Sequence, residues 1–175
     1  MIDSIKKILI AYYSRKGQNY LGGRIVNLPV GNTEVVANKI KGFVGGDLFE
    51  IKTVKSYPVD YTETTEVAMA EKKAGARPEL SNHVGKMDEY DTIYLGYPNW
   101  WGTFPMAVFT FLEEYNFSGK TIIPFCTHEG SGIGRSESDI KKLCPEAKVL
   151  PGIAIRGGSV AGADSLVENW IKKQV

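Results

Sequence analysis

Cysteine and histidine are scarce in this sequence, with two residues of each among 175. Cys126 and Cys144 lie 18 positions apart and form no CxxC pair, so they fit neither a disulfide framework nor a zinc site. His83 and His128 lie in different regions, and we therefore predict no metal centre. No apolar run approaches the roughly 18 residues of a membrane span, and the N-terminal segment lacks a signal-peptide cleavage site. We expect a soluble cytoplasmic protein without membrane insertion.

An excess of charge of either sign is also absent. The 21 Lys and Arg residues nearly balance the 20 Asp and Glu residues, which leaves a formal net charge of +1. Because a nucleic-acid-binding domain typically clusters basic residues on one face, we expect no nucleic-acid partner. The length and the ordinary share of hydrophobic residues, 43%, predict one globular domain over residues 1–175.

Patterns of buried strands and amphipathic helices alternate along the chain. The predicted strands are residues 7–13, 47–54, 91–97, 120–127 and 148–155, and the predicted helices are residues 33–44, 62–75, 105–115, 136–143 and 163–173. Pro124 and Pro151 interrupt the last two strands, since proline cannot donate to a strand ladder. Ser136-x-x-Asp139 resembles a capping box at the start of the fourth helix. Five βα units predict an open, mainly parallel sheet with helices on both faces.

Ligands of such sheets bind beyond the carboxyl ends of the strands, so three loops are candidates for the site. The first loop contains Ser14 and continues to Gly31-Asn32-Thr33, where a helix begins. Free N–H groups of a helix N-terminus and nearby hydroxyl groups suit a phosphate. The alternative is that Asn32 or Thr33 only caps the helix. The connection is much longer than the typical ~2–6 residues, which favours a functional role. It contains no acidic residue from Ser14 to Asn32, so an anion there would meet no like charge from this loop.

The second and third candidate loops follow the third and fourth predicted strands. Trp100 and Trp101 have large faces that suit a flat aromatic ligand; alternatively, one packs as a core lid and the other marks a protein contact. The glycine-rich third loop fails the dinucleotide fingerprint because Arg135 stands where a glycine would be needed. His128 is a candidate proton donor or ligand contact, and a plain surface histidine is equally consistent. Cys126 and Cys144 are expected in the core.

The segments ILIAYYSRKG, GNTEVVA, GYPNWWGTFP and PFCTHEGSGIG together resemble the flavodoxin-like FMN-binding proteins, and the similarity extends over residues 7–173. The resemblance implies a three-layer α/β/α sandwich whose five-stranded parallel sheet has the order 2-1-3-4-5. It also implies FMN as the cofactor. The flavin then performs the redox chemistry, so no side chain is needed as a catalytic acid, base or nucleophile.

The resemblance assigns each loop a part of the cofactor. The implied phosphate contacts are Ser14, Arg15, Lys16, Asn32 and Thr33. The implied contacts on one side of the flavin ring are Pro98, Asn99, Trp100, Trp101 and Gly102. The implied contacts on the other side are Thr127, His128, Glu129, Gly130, Ser131 and Gly132.

Two features depart from the family pattern. The contiguous phosphate loop S-R-x-G-N-T is split here, so either Gly17-Gln18-Asn19 or Gly31-Asn32-Thr33 takes that part, and the helix start favours the second. Residues 20–30 then form an excursion over the site. Electron-carrying flavodoxins are typically acidic, whereas this chain is near neutral. We expect an electron carrier that serves redox partner proteins or a small acceptor, with an FMN-dependent NAD(P)H:quinone-type oxidoreductase as the alternative.

Two unrelated classes are excluded by their missing motifs. A response-regulator receiver needs acidic residues where the first and third strands end, and these ends are Tyr13-Ser14 and Tyr97-Pro98. A P-loop nucleotide hydrolase needs G-x-x-x-x-G-K-[ST], which is absent from the sequence.

Overall fold

The first strand, β1 (Ile8–Tyr12), distributes its apolar side chains over both faces of a sheet. In the computed structural model, which describes residues 6–174, Leu9 and Ala11 pack into one buried cluster and Ile10 and Tyr12 into another. Successive side chains of a strand point to opposite faces, so a strand buried on both sides must be apolar throughout.

Within residues 6–174, five α-helices and seven further strands follow β1. The helices are α1 (Asn32–Val44), α2 (Tyr61–Ala74), α3 (Met106–Glu114), α4 (Ser136–Leu143) and α5 (Asp164–Lys173). The strands are β2 (Gly17–Leu21), β3 (Arg24–Leu28), β4 (Asp47–Glu50), β5 (Thr92–Pro98), β6 (Thr121–His128), β7 (Lys148–Val149) and β8 (Ile153–Arg156). Within residues 6–174, no helix is both long and apolar enough to cross a membrane.

The main sheet is parallel and has the order β4-β1-β5-β6-β7, and β8 also pairs with β6. The predicted order is confirmed, because β7 and β8 are two pieces of the fifth strand and together occupy its position. The break lies at Pro151-Gly152, beside Pro124 of β6. A β-carbon on Gly152 would lie 2.7 Å from the Pro124 carbonyl oxygen, so the chain can pass there only without a side chain.

Helices cover both faces of the sheet. On one face, α1 and α5 contribute Val36, Ile40, Val167 and Trp170 to the core cluster. On the other face, α3 and α4 contribute the residues Val108, Phe111, Leu112 and Ile140. In the middle of the sheet, a β-carbon on Gly96 would lie 2.1 Å from the Phe125 ring, so this glycine makes room for the aromatic side chain. The fold is the predicted α/β/α sandwich.

The long connection after β1 is an antiparallel hairpin that was not predicted from the sequence. Strands β2 and β3 pair from Gly17 opposite Leu28 to Leu21 opposite Arg24. Gly22 and Gly23 form the two-residue turn with φ values of 60° and 87°, which fits the tight hairpin turns that need left-handed residues. The excursion therefore begins at Gly17, before the predicted residue 20.

The predicted capping box of α4 is wrong. Ser136 is the first residue of α4, and its Oγ donates to the Ile133 carbonyl oxygen (2.6 Å) and accepts from the Tyr97 hydroxyl (2.8 Å). Asp139 accepts a hydrogen bond from Thr103 Oγ1 instead of reaching back to the helix start. Tertiary hydrogen bonds have taken both side chains away from the capping positions.

Candidate functional site

A crevice at the carboxyl edge of the sheet brings the three predicted loops together. Its volume is about 220 Å³, and it is lined by Arg15, Asn19, Tyr20, Asn32, Thr33, Tyr61, Pro98, Asn99, Trp100, Thr127, His128, Glu129 and Ser131. A second cavity of about 260 Å³ adjoins it and shares Arg15, Asn19, Tyr61, Asn99 and Trp100. The two form one continuous depression between β1, β5, the hairpin and α2.

The two segments of the expected phosphate loop, which are separated in the sequence, lie next to each other in the structure. A β-carbon on Gly31 would lie 2.2 Å from Ser14 Oγ and 2.6 Å from the Arg15 carbonyl oxygen, so the two ends of the hairpin meet at a glycine. Ser14 Oγ accepts a hydrogen bond from the Glu34 N–H at 3.1 Å. Ser14, Arg15, Gly31, Asn32 and Thr33 thus lie together at the N-terminus of α1, as they would in a contiguous loop.

The start of α1 faces the crevice with both hydroxyl and amide groups. Thr33 Oγ1 lies 2.7 Å from Thr127 Oγ1 in a buried hydrogen bond, which joins α1 to the end of β6. The N–H groups of Asn32 and Thr33 have no partner within the helix, because the first turn of any helix lacks acceptors for its N–H groups. The helix dipole adds positive potential at this end, so the position suits an anion.

Arg15 and Lys16 differ in their surroundings. Arg15 lines the crevice, and its guanidinium donates to the carbonyl oxygens of Gln18, Pro58 and Val59 at 2.9–3.1 Å. This side chain therefore fastens the hairpin to the segment before α2. Lys16 is exposed and does not line the crevice.

The two adjacent tryptophans have different roles in the packing. Trp100 lies edge-on to Tyr13 and Tyr57, with ring centroids 5.3 and 5.2 Å apart, and its remaining surface lines both cavities. Trp101 is 46% exposed and donates from Nε1 to the Thr65 carbonyl oxygen of α2. Among residues 6–174, Trp101 is the single non-glycine residue whose φ angle is positive, with a value of 58°. This backbone conformation directs the rings of Trp100 and Trp101 to different sides.

Asn99 joins the second loop to the third. Its side-chain amide donates to the Gly132 carbonyl oxygen at 2.8 Å, and its side-chain oxygen accepts from the Gly102 N–H at 2.9 Å. Gly102 and Gly132 thus hold the loops together behind the crevice and do not line it. The site residue Pro98 ends β5 at the crevice.

The third loop places Thr127, His128, Glu129 and Ser131 on the crevice wall, whereas Gly130, with a φ of 128°, lies outside it. His128 Nδ1 accepts the Gly130 N–H at 2.8 Å. Burial, followed by the charge of Arg156, lowers the pKa of His128, so the imidazole is neutral at pH 7 and carries its proton on Nε2. The ring is therefore a hydrogen-bond donor to the crevice.

Glu129 places a negative charge beside the proposed phosphate position. A β-carbon on Gly157 would lie 2.3 Å from Glu129 Oε1 and 2.5 Å from Asn32 Nδ2, so the two side chains meet over this glycine. Glu129 Oε1 is buried without a hydrogen-bond partner. The first loop contains no acidic residue, and nothing in the sequence indicated that a carboxylate would lie beside it. Glu129 reaches this position from the third loop.

Two residues that line the crevice were not predicted as site residues, Tyr20 and Tyr61, and a third, Asn19, belongs to the alternative phosphate segment. The Tyr20 and Tyr61 rings are stacked, with centroids 6.2 Å apart and planes 25° apart. The Tyr61 N–H donates to Gln18 Oε1 at 2.8 Å. These contacts hold the hairpin against α2 along one wall of the crevice, and the Gly22-Gly23 turn was the sequence signal that could have revealed the hairpin.

The predicted core role of the two cysteines is confirmed. Both side chains are buried, and burial raises the pKa of Cys126 to about 12 and that of Cys144 to about 11. Neither thiol is a nucleophile at neutral pH. Within residues 6–174, no group of three or more His, Cys, Asp or Glu side chains is placed to hold a metal ion.

The residues of the crevice fit FMN. The start of α1 supplies N–H donors for one phosphate at the crevice wall, and Trp100 offers an aromatic surface in the same crevice. The unpartnered Glu129 oxygen is the feature that fits an anion least well.

Comparison with known proteins gives consistent results. The family model of flavodoxin matches residues 24–174. A solved protein from Bacteroides uniformis, classed as a flavoprotein, is 31% identical, with 95% of this chain and 98% of that chain covered and a TM-score of 0.73. Another from Bacteroides eggerthii is 28% identical, with 93% and 98% covered and a TM-score of 0.69.

A flavoprotein of Lactobacillus acidophilus, solved in complex with FMN, shares the fold at 23% identity. The match covers 92% of this chain and 99% of that chain, with a TM-score of 0.63. Among proteins with curated functions, none matches this chain.

Proposed function

This chain belongs to the flavodoxin family, and we propose that it binds FMN in the crevice and carries electrons between redox partners through the bound flavin. When bound, the flavin supplies the one- or two-electron chemistry. The observation that carries the proposal is the meeting of the three loops in one crevice beside the start of α1. The FMN complex of the Lactobacillus acidophilus protein, which has the same fold, supports the choice of cofactor.

The residues of this chain have separate tasks in the proposed site. The N–H groups of Asn32 and Thr33 bind the phosphate, and the Ser14 hydroxyl lies beside them. Trp100 packs along the flavin ring, and its contacts with Tyr13 and Tyr57 fix its position. The neutral His128 donates its Nε2 proton toward the ring edge.

The hairpin and the loop after β6 exclude water from the proposed site. Arg15 and Gln18 fasten the base of the hairpin to the segment before α2, and Glu129 fastens its turn. In a site shielded in this way, hydrogen bonds to the flavin have a stronger influence on its reduction potential than they would in water.

The cofactor is tested by releasing the flavin from purified protein and separating it chromatographically. We expect FMN, because the crevice has one phosphate position and no second dinucleotide motif. Recovery of FAD, or of no flavin, would contradict the proposal.

The carrier role is tested with the flavin-loaded protein in two assays. We expect slow turnover with NADPH and a quinone, and rapid electron exchange with a reduced flavin-dependent reductase in the presence of cytochrome c as the final acceptor. Rapid steady-state turnover with NADPH and quinone alone would favour an oxidoreductase instead.

A further inference from the structure

Two tyrosines lie edge-on against Trp100, which offers the aromatic surface of the crevice. The ring centroids of Trp100 and Tyr57 are 5.2 Å apart with the ring planes at 90°, and those of Trp100 and Tyr13 are 5.3 Å apart at 78°. Aromatic rings at these separations are in direct contact. Because electrons pass readily between rings in contact, both tyrosines are placed to exchange an electron with Trp100.

The two tyrosines differ in what their hydroxyl groups contact. The Tyr57 hydroxyl is hydrogen-bonded to the Glu71 carboxylate of α2, and burial, followed by this hydrogen bond, raises the pKa of Tyr57. Burial also raises the pKa of Tyr13, but in the part of the chain that the structure describes no carboxylate is hydrogen-bonded to the Tyr13 hydroxyl. Both phenols therefore keep their protons at neutral pH, and of the two only Tyr57 has a base beside it.

A base beside the hydroxyl makes a tyrosine easier to oxidise. A phenol that loses an electron becomes a strong acid, so the oxidation costs least when an acceptor for the proton is already hydrogen-bonded to it. Burial raises the pKa of Glu71 against the smaller opposing effects of Tyr57 and Lys55, which makes this carboxylate a stronger proton acceptor. Tyr57 and Glu71 thus form a proton-coupled electron donor in contact with Trp100.

We propose that Tyr57 is a redox-active tyrosine that reduces oxidised Trp100 while Glu71 accepts its proton. The oxidant is the light-excited oxidised flavin, so the proposal rests on the proposed binding of FMN. Trp100 loses one electron to the flavin and becomes a radical cation. Tyr57 then gives one electron to Trp100, its O–H bond breaks, and the proton moves to the Glu71 carboxylate.

The step balances without a further reactant, since one electron passes from Tyr57 to the flavin and one proton passes from Tyr57 to Glu71. Trp100 returns to its reduced form, which protects the aromatic wall of the crevice. The oxidising equivalent moves to Tyr57, which lines a separate groove on the other side of Trp100.

A laser flash on the FMN-loaded protein at pH 8, followed by transient absorption, tests the proposal. We expect the broad visible absorption of the tryptophan radical to decay as the sharp near-ultraviolet absorption of the tyrosyl radical rises. The visible spectrum before the flash gives the flavin content. A protein without flavin would overturn both the proposed function and this proposal, whereas bound flavin without a tyrosyl signal would overturn this proposal alone.

Tyr57→Phe is the matched variant, because it keeps the ring against Trp100 and removes the hydroxyl. We expect it to abolish the tyrosyl signal, so that the tryptophan radical persists until it recovers its electron from the flavin. Glu71→Gln keeps a hydrogen-bond acceptor of the same shape but removes the base, so it should slow the rise of the tyrosyl signal about tenfold. Equal rates in Glu71→Gln and the wild type would overturn the proposal.

Tyr94→Phe is the control for location. Tyr94 also lies edge-on to a tryptophan, Trp170, with the ring centroids 5.9 Å apart, but this pair packs on the other face of the sheet and does not line the crevice. We expect Tyr94→Phe to leave the tyrosyl signal unchanged. A tyrosyl signal that survives in Tyr57→Phe, or that is lost in Tyr13→Phe instead, would overturn the proposal.

Discussion

The Glu129 carboxylate accepts a hydrogen bond from the Gly22 N–H at 3.3 Å, which joins the turn of the hairpin to the loop after β6. The second carboxylate oxygen is buried without a partner beside Asn32, close to the proposed phosphate position. In the proposed site, the Glu129 carboxylate and the FMN phosphate are therefore two negative groups that lie near each other.

Glu129→Gln should strengthen FMN binding relative to riboflavin, which has no phosphate. Two like charges about 6 Å apart repel by about 0.7 kcal/mol at the dielectric of water and by about 3 kcal/mol at that of a protein surface, so we expect the affinity ratio to rise at least about threefold. Fluorescence titration of the apoprotein with both ligands measures the ratio. Glu168→Gln on α5 makes the same change in net charge and should leave it unchanged. Weaker binding of both flavins to Glu129→Gln would mean that the carboxylate contacts the flavin ring.

Shortening the hairpin tests whether it is a cover and not a part of the phosphate site. Ser14 and Arg15 lie against Gly31, so replacing residues 16–30 by one alanine restores a contiguous S-R-x-G-N-T loop. We expect the shortened protein to fold and bind FMN, with a dissociation rate at least tenfold higher than that of the full chain because the cover is gone. Stopped-flow measurement of FMN release gives the rate. An unchanged rate would contradict the covering role.

Alanine substitution of the two tryptophans separates packing from flavin binding. Trp100→Ala should lower the free energy of unfolding by about 2 kcal/mol, because it removes a half-buried ring from Tyr13 and Tyr57. Trp101→Ala should change it by less than about 1 kcal/mol, since nearly half of this residue is exposed. At least one variant should bind FMN roughly tenfold more weakly, as loss of a stacking ring costs ~1–3 kcal/mol. Unchanged FMN affinity in both would show that the site is misplaced.

Both thiols should be unreactive in the native protein. Burial raises the pKa of Cys126 to about 12 and that of Cys144 to about 11, so neither is ionised at pH 8. We expect no labelling by an aromatic disulfide reagent at pH 8 and labelling of both thiols in urea. Rapid labelling of either cysteine in the native protein would contradict their buried placement.

The same shifts predict the direction of the alkaline pH dependence. A thiol with a raised native pKa holds its proton more tightly in the folded than in the unfolded state. The contribution of the thiols to the free energy of unfolding should therefore be constant below about pH 8 and fall as the pH rises past 9.0, the ordinary thiol value. Urea unfolding at pH 7, 9 and 10 measures the free energy of unfolding. The decrease with rising pH should be smaller in Cys126→Ala, which lacks one of the two thiols. A rise in stability over this range would contradict the assignment.

The sheet was predictable from the sequence because its strands are apolar on both faces, as in β1 and β5. The hairpin was not predicted from apolar patterning, because its apolar residues Tyr20 and Ile25 remain 41% and 49% exposed and do not form a buried face. The different burial of Trp100 and Trp101 depends on one positive φ angle, and the position of Glu129 depends on packing between distant loops. The burial of the two tryptophans and the position of Glu129 arise from tertiary structure and leave no local signal, whereas the Gly22-Gly23 turn was a local signal of the hairpin.

The central claim is that the phosphate binds at the start of α1. It is tested by measuring the affinity of the apoprotein for FMN and for riboflavin in the wild type and in three variants. Thr33→Ala removes the hydroxyl that joins α1 to β6 and should weaken FMN binding about tenfold while riboflavin binding is nearly unchanged. Gln18→Ala and Asn19→Ala should change neither by more than about twofold, because both side chains are occupied in holding the hairpin. A loss of FMN binding confined to Gln18→Ala or Asn19→Ala would contradict the account and would make Gly31-Asn32-Thr33 an ordinary helix cap.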